Sequence, residues 1–245
     1  MSKPTEIYRL RMLAGPNGSG KSFLVPLLAE EVNLGVIVNA DEIEATLRKQ
    51  PPASRLLNLG NWNVQLTDAE LQEFAARPGS QRLPIEQASQ LRIEQNVLLL
   101  GHAHLDSYLA AWIAELLRFH LLAIRQPLTF ETVMSHPSKL DFLREAREAG
   151  YRTYLYFVAT ADPAINIARV AVRVAKGGHP VAKDKIVERY RRSLALLRPA
   201  LKLTDRAYIF DNSGTEPVLV AEVMNGKEVT YKTTQLLSWV DDAIG

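Results

Sequence analysis

The octet Gly15-Pro16-Asn17-Gly18-Ser19-Gly20-Lys21-Ser22 constrains this chain more than any other feature in it. It fits the template G-x-x-x-x-G-K-[ST], a turn between a buried strand and a helix whose backbone N–H groups line a concave surface. Glycine is needed because the main chain must take positive φ and approach its ligand closely. Upstream, Ile7 to Ala14 becomes continuously apolar, as a strand entering a parallel sheet does. Downstream, Phe23, Leu24, Leu27 and Leu28 mark a helical apolar face, and Pro26 falls in the first turns, where a missing N–H costs little. The helix N-terminus turns its positive end to an anion. A triphosphate such as that of ATP is the expected occupant, with Lys21 on the β- and γ-phosphates and Ser22 on Mg²⁺.

Apolar strand-like runs recur at Ile7–Ala14, Gly35–Asn39, Leu128–Thr132, Tyr151–Ala159 and Arg206–Phe210, separated by helical patterns. That alternation implies βαβ units, an α/β fold with a parallel sheet, and one domain over residues 1–245. The crossover between the second and third runs is long, and its pieces at 41–49, 67–76 and 85–124 read as helical, with a break near Gly101 and a loop over 50–63. It is expected to be a helical insertion, about residues 50–125, forming one wall over the site. Near the end, Val218–Val223 and Val229–Tyr231 flank Asn225-Gly226, the signal of a β-hairpin, before a helix at 234–244.

Composition excludes several classes. With 29 basic and 27 acidic residues the net charge is +2, which gives no nucleic-acid signature. No apolar run approaches the roughly 18 residues of a membrane span, and the first strand leaves no room for a signal peptide, so a cytoplasmic location is expected. The absence of cysteine removes disulfides and thiol chemistry.

Ligands on parallel sheets bind at the carboxyl ends of strands, which directs attention to Asp41, Glu131, Thr160 and Asp211. Asp41 can accept a proton from a hydroxyl or bind Mg²⁺ through water; it can also cap the following helix. Glu131, beside Thr132, is a candidate for holding substrate hydroxyls, since a carboxylate buried there without a partner would be costly. His136 follows the same strand and can approach substrate. Arg169, Arg173 and Lys176 form a basic stripe on a helix starting at Pro163, Gly177-Gly178-His179-Pro180 breaks it, and a second helix from near Asp184 carries Arg189 and Arg192. Two arginine-bearing helices joined by a Gly-Gly hinge suit a lid, about residues 173–192, closing over a triphosphate. Asp211 and Asn212, after the last strand, are placed to contact the nucleotide, although an Asx-type turn explains them equally. The series His102-x-His104-x-Asp106 is read as a helix end rather than a metal site, and His179 as a phosphate contact in the hinge.

The ordered set GPNGSGKS, NADE, FETVMS, RVAKGGH, ERYRRSL and FDNS resembles the zeta-toxin-like P-loop kinases, a group that includes UDP-N-acetylglucosamine kinases and predicted ABC-type ATPases. The resemblance covers nearly the whole chain outside the insertion. It implies a doubly wound α/β fold and ATP- and Mg²⁺-dependent phosphorylation of a small-molecule hydroxyl, such as that of a sugar nucleotide. Under it Lys21 and Ser22 contact phosphate and metal, Asp41 is the general base and Glu131 touches substrate. Arg173 and one of Arg189 or Arg192 are the lid arginines, and an antitoxin protein enters as a partner. Two other readings stay open: a kinase of another acceptor, such as a nucleic-acid end or an antibiotic, and a nucleotide-gated binding module.

Overall fold

The computed structural model describes residues 7–77, 83–178, 180–234 and 237–244. Two compact units emerge, Met1–Leu34 with Thr129–Gly245, and Gly35–Leu128. In chain order the first elements are β1 (Arg9–Ala14), α1 (Lys21–Glu31), β2 (Val36–Val38), α2 (Ala40–Arg48), β3 (Leu56–Asn58), α3 (Asp68–Ala76), the single turn α4 (Ile85–Ala88), β4 (Arg92–Glu94), β5 (Val97–Leu99) and α5 (Ser107–Ala123). Then follow β6 (Leu128–Thr132), α6 (Ser138–Glu148), β7 (Arg152–Ala159), α7 (Pro163–Ala175), α8 (Lys183–Ala195), α9 (Leu197–Leu201), β8 (Arg206–Asp211), β9 (Val218–Met224), β10 (Glu228–Tyr231) and α10 (Ser238–Ile244).

The first unit is built on strands in the order β10-β9-β8-β7-β1-β6. β1 pairs with β7 and β7 with β8 in parallel, Leu13 standing opposite Tyr156 and Phe157 opposite Ile209, whereas β9 and β10 are antiparallel additions. The near-continuous burial of β1 and β7 follows from their central place, with helices needed on the faces of a parallel sheet. On one face α1 packs Leu24, Val25 and Leu28 around Leu13, Tyr156 and Val158. Phe23 and Leu27, expected in the apolar face of α1, are instead 51% and 46% exposed. Pro26 is the sixth residue of α1, deeper than expected, so the Ser22 carbonyl has no i+4 donor. The hairpin turn lies at Asn225-Gly226, both with positive φ, as its sequence requires.

The second unit corrects the reading of 85–124 as helical. Only α4 and the 17-residue α5 are helices there; between them β4 and β5 form a hairpin to which β3 adds, within the stretch expected to be a loop, giving an antiparallel sheet β3-β5-β4. The hairpin turns on Gln95-Asn96, both in the left-handed region at φ 48° and 64°, the backbone of a tight two-residue turn without the glycine that signals one. Asn96 holds it in place: its Nδ2 donates to the Val64 carbonyl at 2.9 Å and its Oδ1 accepts from Leu66 N–H at 3.0 Å. α3 opens with a capping box between Thr67 and Glu70 and packs Phe74 edge-on to Trp112 of α5.

Asn96→Ala removes two hydrogen bonds and puts alanine at positive φ, so it should lower unfolding free energy by about 2–3 kcal/mol. Asn96→Gly, which keeps the turn, should lose about half of that in denaturant unfolding. Equal losses would show that backbone strain contributes nothing.

Candidate functional site

The loop from Gly15 to Gly20 joins β1 to α1 and takes φ of 142° at Gly15, 74° at Gly18 and 93° at Gly20. A Cβ at Gly15 would lie 2.0 Å from the Val158 carbonyl oxygen, one at Gly18 2.6 Å from that of Asn166, and one at Gly20 2.1 Å from Asn212 Nδ2. The close approach that demands glycine is thus toward the protein behind the loop, where the sequence reading had placed it toward a ligand. The N–H groups of Gly18 and Gly20 make no hydrogen bond among the described residues.

Lys21 opens α1, and its ammonium donates to the carbonyls of Gly15 at 2.8 Å and Pro16 at 3.0 Å. Ser22 donates its hydroxyl to Glu131 Oε2 at 3.0 Å, bridging the loop's end to the carboxyl end of β6. A hydroxyl and a carboxylate oxygen so placed form a pair of hard oxygen donors. Thr132 accepts the Met134 N–H at 3.0 Å, and the exposed His136 accepts that of Ser138 on Nδ1 at 3.2 Å. Sequence reasoning named Ser22 and Glu131 separately; the structure brings them together.

A polar scaffold that sequence reasoning largely missed stands behind the loop. Asn166 of α7, fully buried, donates Nδ2 to the Asn17 carbonyl at 2.7 Å and accepts on Oδ1 from the Thr160 hydroxyl. The Thr160 carbonyl in turn accepts the Tyr190 hydroxyl of α8 at 2.5 Å. Asn212 donates Nδ2 to the Ser19 carbonyl at 2.8 Å, and Arg169 holds the carbonyls of Asn212 and Gly214 at 2.7 and 2.8 Å. Asp211 accepts from Ser213 and, at 2.9 Å, from Trp239 Nε1 of α10. Asp211 and Asn212, singled out for the nucleotide, thus bond to the protein itself. The only signal for Asn166 was its place in the helix after Thr160, at one face with Val170 and Arg173.

Arg173 lies seven residues beyond Asn166, on the face that meets Gly18 through Val170. Gly177-Gly178 ends α7 in a Schellman cap: Gly177 takes φ 86°, its N–H reaches Val174 O at 2.9 Å and that of Gly178 reaches Arg173 O at 2.9 Å. A Cβ at Gly178 would lie 2.6 Å from Arg173 Cγ, so that glycine leaves room for the arginine side chain. On α8, Arg192 pairs with Glu188 at 2.5 Å on the surface, while Arg189 is half-buried beside Tyr190. Asp41 is exposed in the first turn of α2; the cap is Asn39, which accepts the Asp41 N–H at 2.9 Å. Asp106 caps α5, His102 and His104 are exposed, and no cluster of three or more metal-ligating side chains occurs among the described residues. His179 lies outside the described residues. No described helix is long and apolar enough to cross a membrane.

The family model described as Zeta toxin matches residues 103–223, a span that contains Glu131, Asn166, Arg173 and Asn212 but not the phosphate loop. An uncharacterized protein of Haemophilus influenzae is 35% identical over 74 residues, covering 29% of this chain and 52% of that protein. Among solved structures, a chain of the AvrRxo1-ORF1:AvrRxo1-ORF2 complex with sulphate ions is similar at a TM-score of 0.58 and 14% identity, covering 98% of this chain and 64% of that one. A chain of the PezAT chromosomal toxin-antitoxin system of Streptococcus pneumoniae is similar at 0.51 and 15% identity, over 94% and 77%. The matches therefore span less than two thirds of the Haemophilus protein and of the AvrRxo1 chain. The likeness to the two solved structures is one of fold, an α/β architecture with a mostly parallel central sheet, and the Zeta toxin model matches just under half of the chain.

Burial, then the carboxylates of Asp162 and Asp211, push the Tyr190 phenol up to about 12. Its folded value lies above the unfolded value of about 10, so the un-ionised ring contributes stability that is complete below pH 10 and lost as pH rises toward 12. Tyr190→Phe should therefore flatten the alkaline fall in unfolding midpoint between about pH 10 and 12. An unchanged fall would assign it to another group.

Proposed function

We propose that this protein transfers the γ-phosphoryl group of ATP to a hydroxyl of a small molecule, with sugar nucleotides such as UDP-N-acetylglucosamine as the acceptor class. The observation that carries the reading is the phosphate loop: Gly18 and Gly20 N–H groups that make no hydrogen bond among the described residues, a lysine folded onto the loop, and a serine hydroxyl set against a carboxylate. That donor set fits both groups the family implies. N–H dipoles and an ammonium suit a polyphosphate, and two hard oxygens suit Mg²⁺, which characteristically takes one or two protein ligands and completes its shell with water and phosphate. The ion, when bound, supplies neutralisation of charge on the β- and γ-phosphates.

The chain's own residues would then divide the work as follows. Gly18, Gly20 and Lys21 hold the phosphates, and Ser22 with Glu131 hold the ion, Glu131 remaining near enough to β6's end to meet substrate beside Thr132. The acceptor oxygen forms its bond to phosphorus as the bond to the ADP oxygen breaks, and the hydroxyl proton goes to Asp41, an exposed carboxylate directly after a strand. Arg173 stabilises charge on the transferred group, and Arg189, rather than the Glu188-paired Arg192, is its companion on the lid of about 173–192. His136, whose Nδ1 accepts the Ser138 N–H, stands after β6 where it can approach the acceptor. Asp211 and Asn212 serve the nucleotide by shaping the loop. The toxin-antitoxin setting of PezAT supports a protein antitoxin as partner.

Asp41→Asn should lower phosphoryl transfer by at least about 100-fold while ATP affinity stays within a few-fold. The measurement is labelled ATP with a panel of sugar nucleotides, nucleosides, oligonucleotides and aminoglycosides, resolved by mass. Wild-type transfer by the variant would remove Asp41 from the role of base. Label appearing only as free phosphate with every acceptor would favour a nucleotide-gated module over a kinase.

A further inference from the structure

We infer that Asn166 and Asn212 are positioning residues that aim the anion-binding N–H groups of the phosphate loop, and that Tyr190 ties this clamp to α8. The inference rests on the reading of the loop as a triphosphate site. In a trans peptide the C=O and N–H of one unit point in opposite directions. Asn166 fixes the Asn17 carbonyl from behind, so the Gly18 N–H, which belongs to the same peptide unit, is turned to the opposite side. Asn212 fixes the Ser19 carbonyl in the same way and turns the Gly20 N–H with it. Two alternate N–H groups of the loop are thereby pointed away from the scaffold before any ligand arrives, which is the preorganisation that electrostatic stabilisation of charge requires.

Three further observations support it. The Asn166 amide is held at both ends, donating to Asn17 and accepting from Thr160, so its orientation is determined by its partners. Gly20 must lack a Cβ for Asn212 to reach the loop at all, since the two would lie 2.1 Å apart. Arg169 holds the backbone of Asn212 and of Gly214, which fixes the loop that carries the second amide. The chain of bonds Tyr190–Thr160–Asn166–Asn17 runs from a helix carrying Arg189 to the loop itself, so a shift of α8 strains one hydrogen bond after another rather than moving independently.

The test uses the full chain and four variants, Asn166→Ala, Asn166→Asp, Asn212→Ala and Tyr190→Phe. Calorimetric binding of ATP and of inorganic tripolyphosphate should weaken about tenfold for the first three. Asn166→Asp is included because it preserves shape and the Thr160 bond but cannot donate to Asn17. The KM for ATP should rise by the same factor with a smaller change in kcat and none in the acceptor KM. The ¹⁵N–¹H signal of Gly18 should shift in both Asn166 variants and that of Gly20 in Asn212→Ala, with Tyr190→Phe moving Gly18 in the same direction by less. A variant set that binds both anions as wild type does, or that loses kcat and both KM values alike, overturns the clamp. A wild-type protein that binds tripolyphosphate but transfers nothing overturns the kinase reading and leaves the clamp standing, while one that binds neither anion overturns both.

Discussion

The phosphate loop is packed against protein on its convex side, and much else in the first unit follows from that. The Val158 carbonyl, the Asn166 backbone and the Asn212 amide each occupy space a side chain would need at Gly15, Gly18 and Gly20. A polar loop pressed onto a buried scaffold must satisfy its carbonyls there, because an unpaired buried acceptor costs about 1–3 kcal/mol. The two asparagines do so. The same requirement explains why β7 and β8 must end level with each other: Ala159 opposes Asp211, which brings Thr160 and Asn212 to one line beneath the loop. Strand register, helix placement and loop conformation are therefore parts of one constraint.

The sequence was most legible where one residue type does one job. The strand at Leu128–Thr132, the one expected at Arg206–Phe210 and found one residue longer, the start of α7 at Pro163 and the hairpin at Asn225-Gly226 all follow from local chemistry, and the structure has them there. The β4–β5 hairpin was not legible because Gln95-Asn96 lacks glycine; its left-handed turn is stabilised by Asn96 reaching Val64 and Leu66, about 30 residues away. No window of neighbouring residues contains that information. Ile93 and Leu98 are apolar in a pattern that fits a helix as readily as a short strand, so periodicity alone could not separate the two.

The site divides along the same line. Its motif residues were read directly, since Gly-x-x-x-x-Gly-Lys-Ser encodes its own geometry. Its pairings were not: that Ser22 meets Glu131 across 109 positions, or that Asn166 meets Asn17 across 149, depends on sheet order. Arg169 shows the limit of pattern reading in another way. It shares a stripe with Arg173 and Lys176, yet its guanidinium is taken by two carbonyls after β8. A basic stripe on a helix can thus contain a residue that builds the scaffold of the loop, and its partners rather than its spacing reveal it.

The Gly177-Gly178 pair bears on how the arginines would act. As a Schellman cap it terminates α7 firmly, with two hydrogen bonds returning to Arg173 and Val174, and it keeps the space beside Arg173 Cγ open. Arg173 therefore stands on the same rigid helix that clamps the loop through Asn166, one face carrying Asn166, Val170 and Arg173 in succession. Any motion that brought Arg189 in would have to occur beyond that cap, and the buried Tyr190 hydroxyl resists it by holding Thr160. With Arg173 on the helix that holds the loop and Arg189 tethered to it through a single hydrogen bond, the proposed transfer would need little reorganisation as charge develops, and such economy of motion is where electrostatic catalysis gains most.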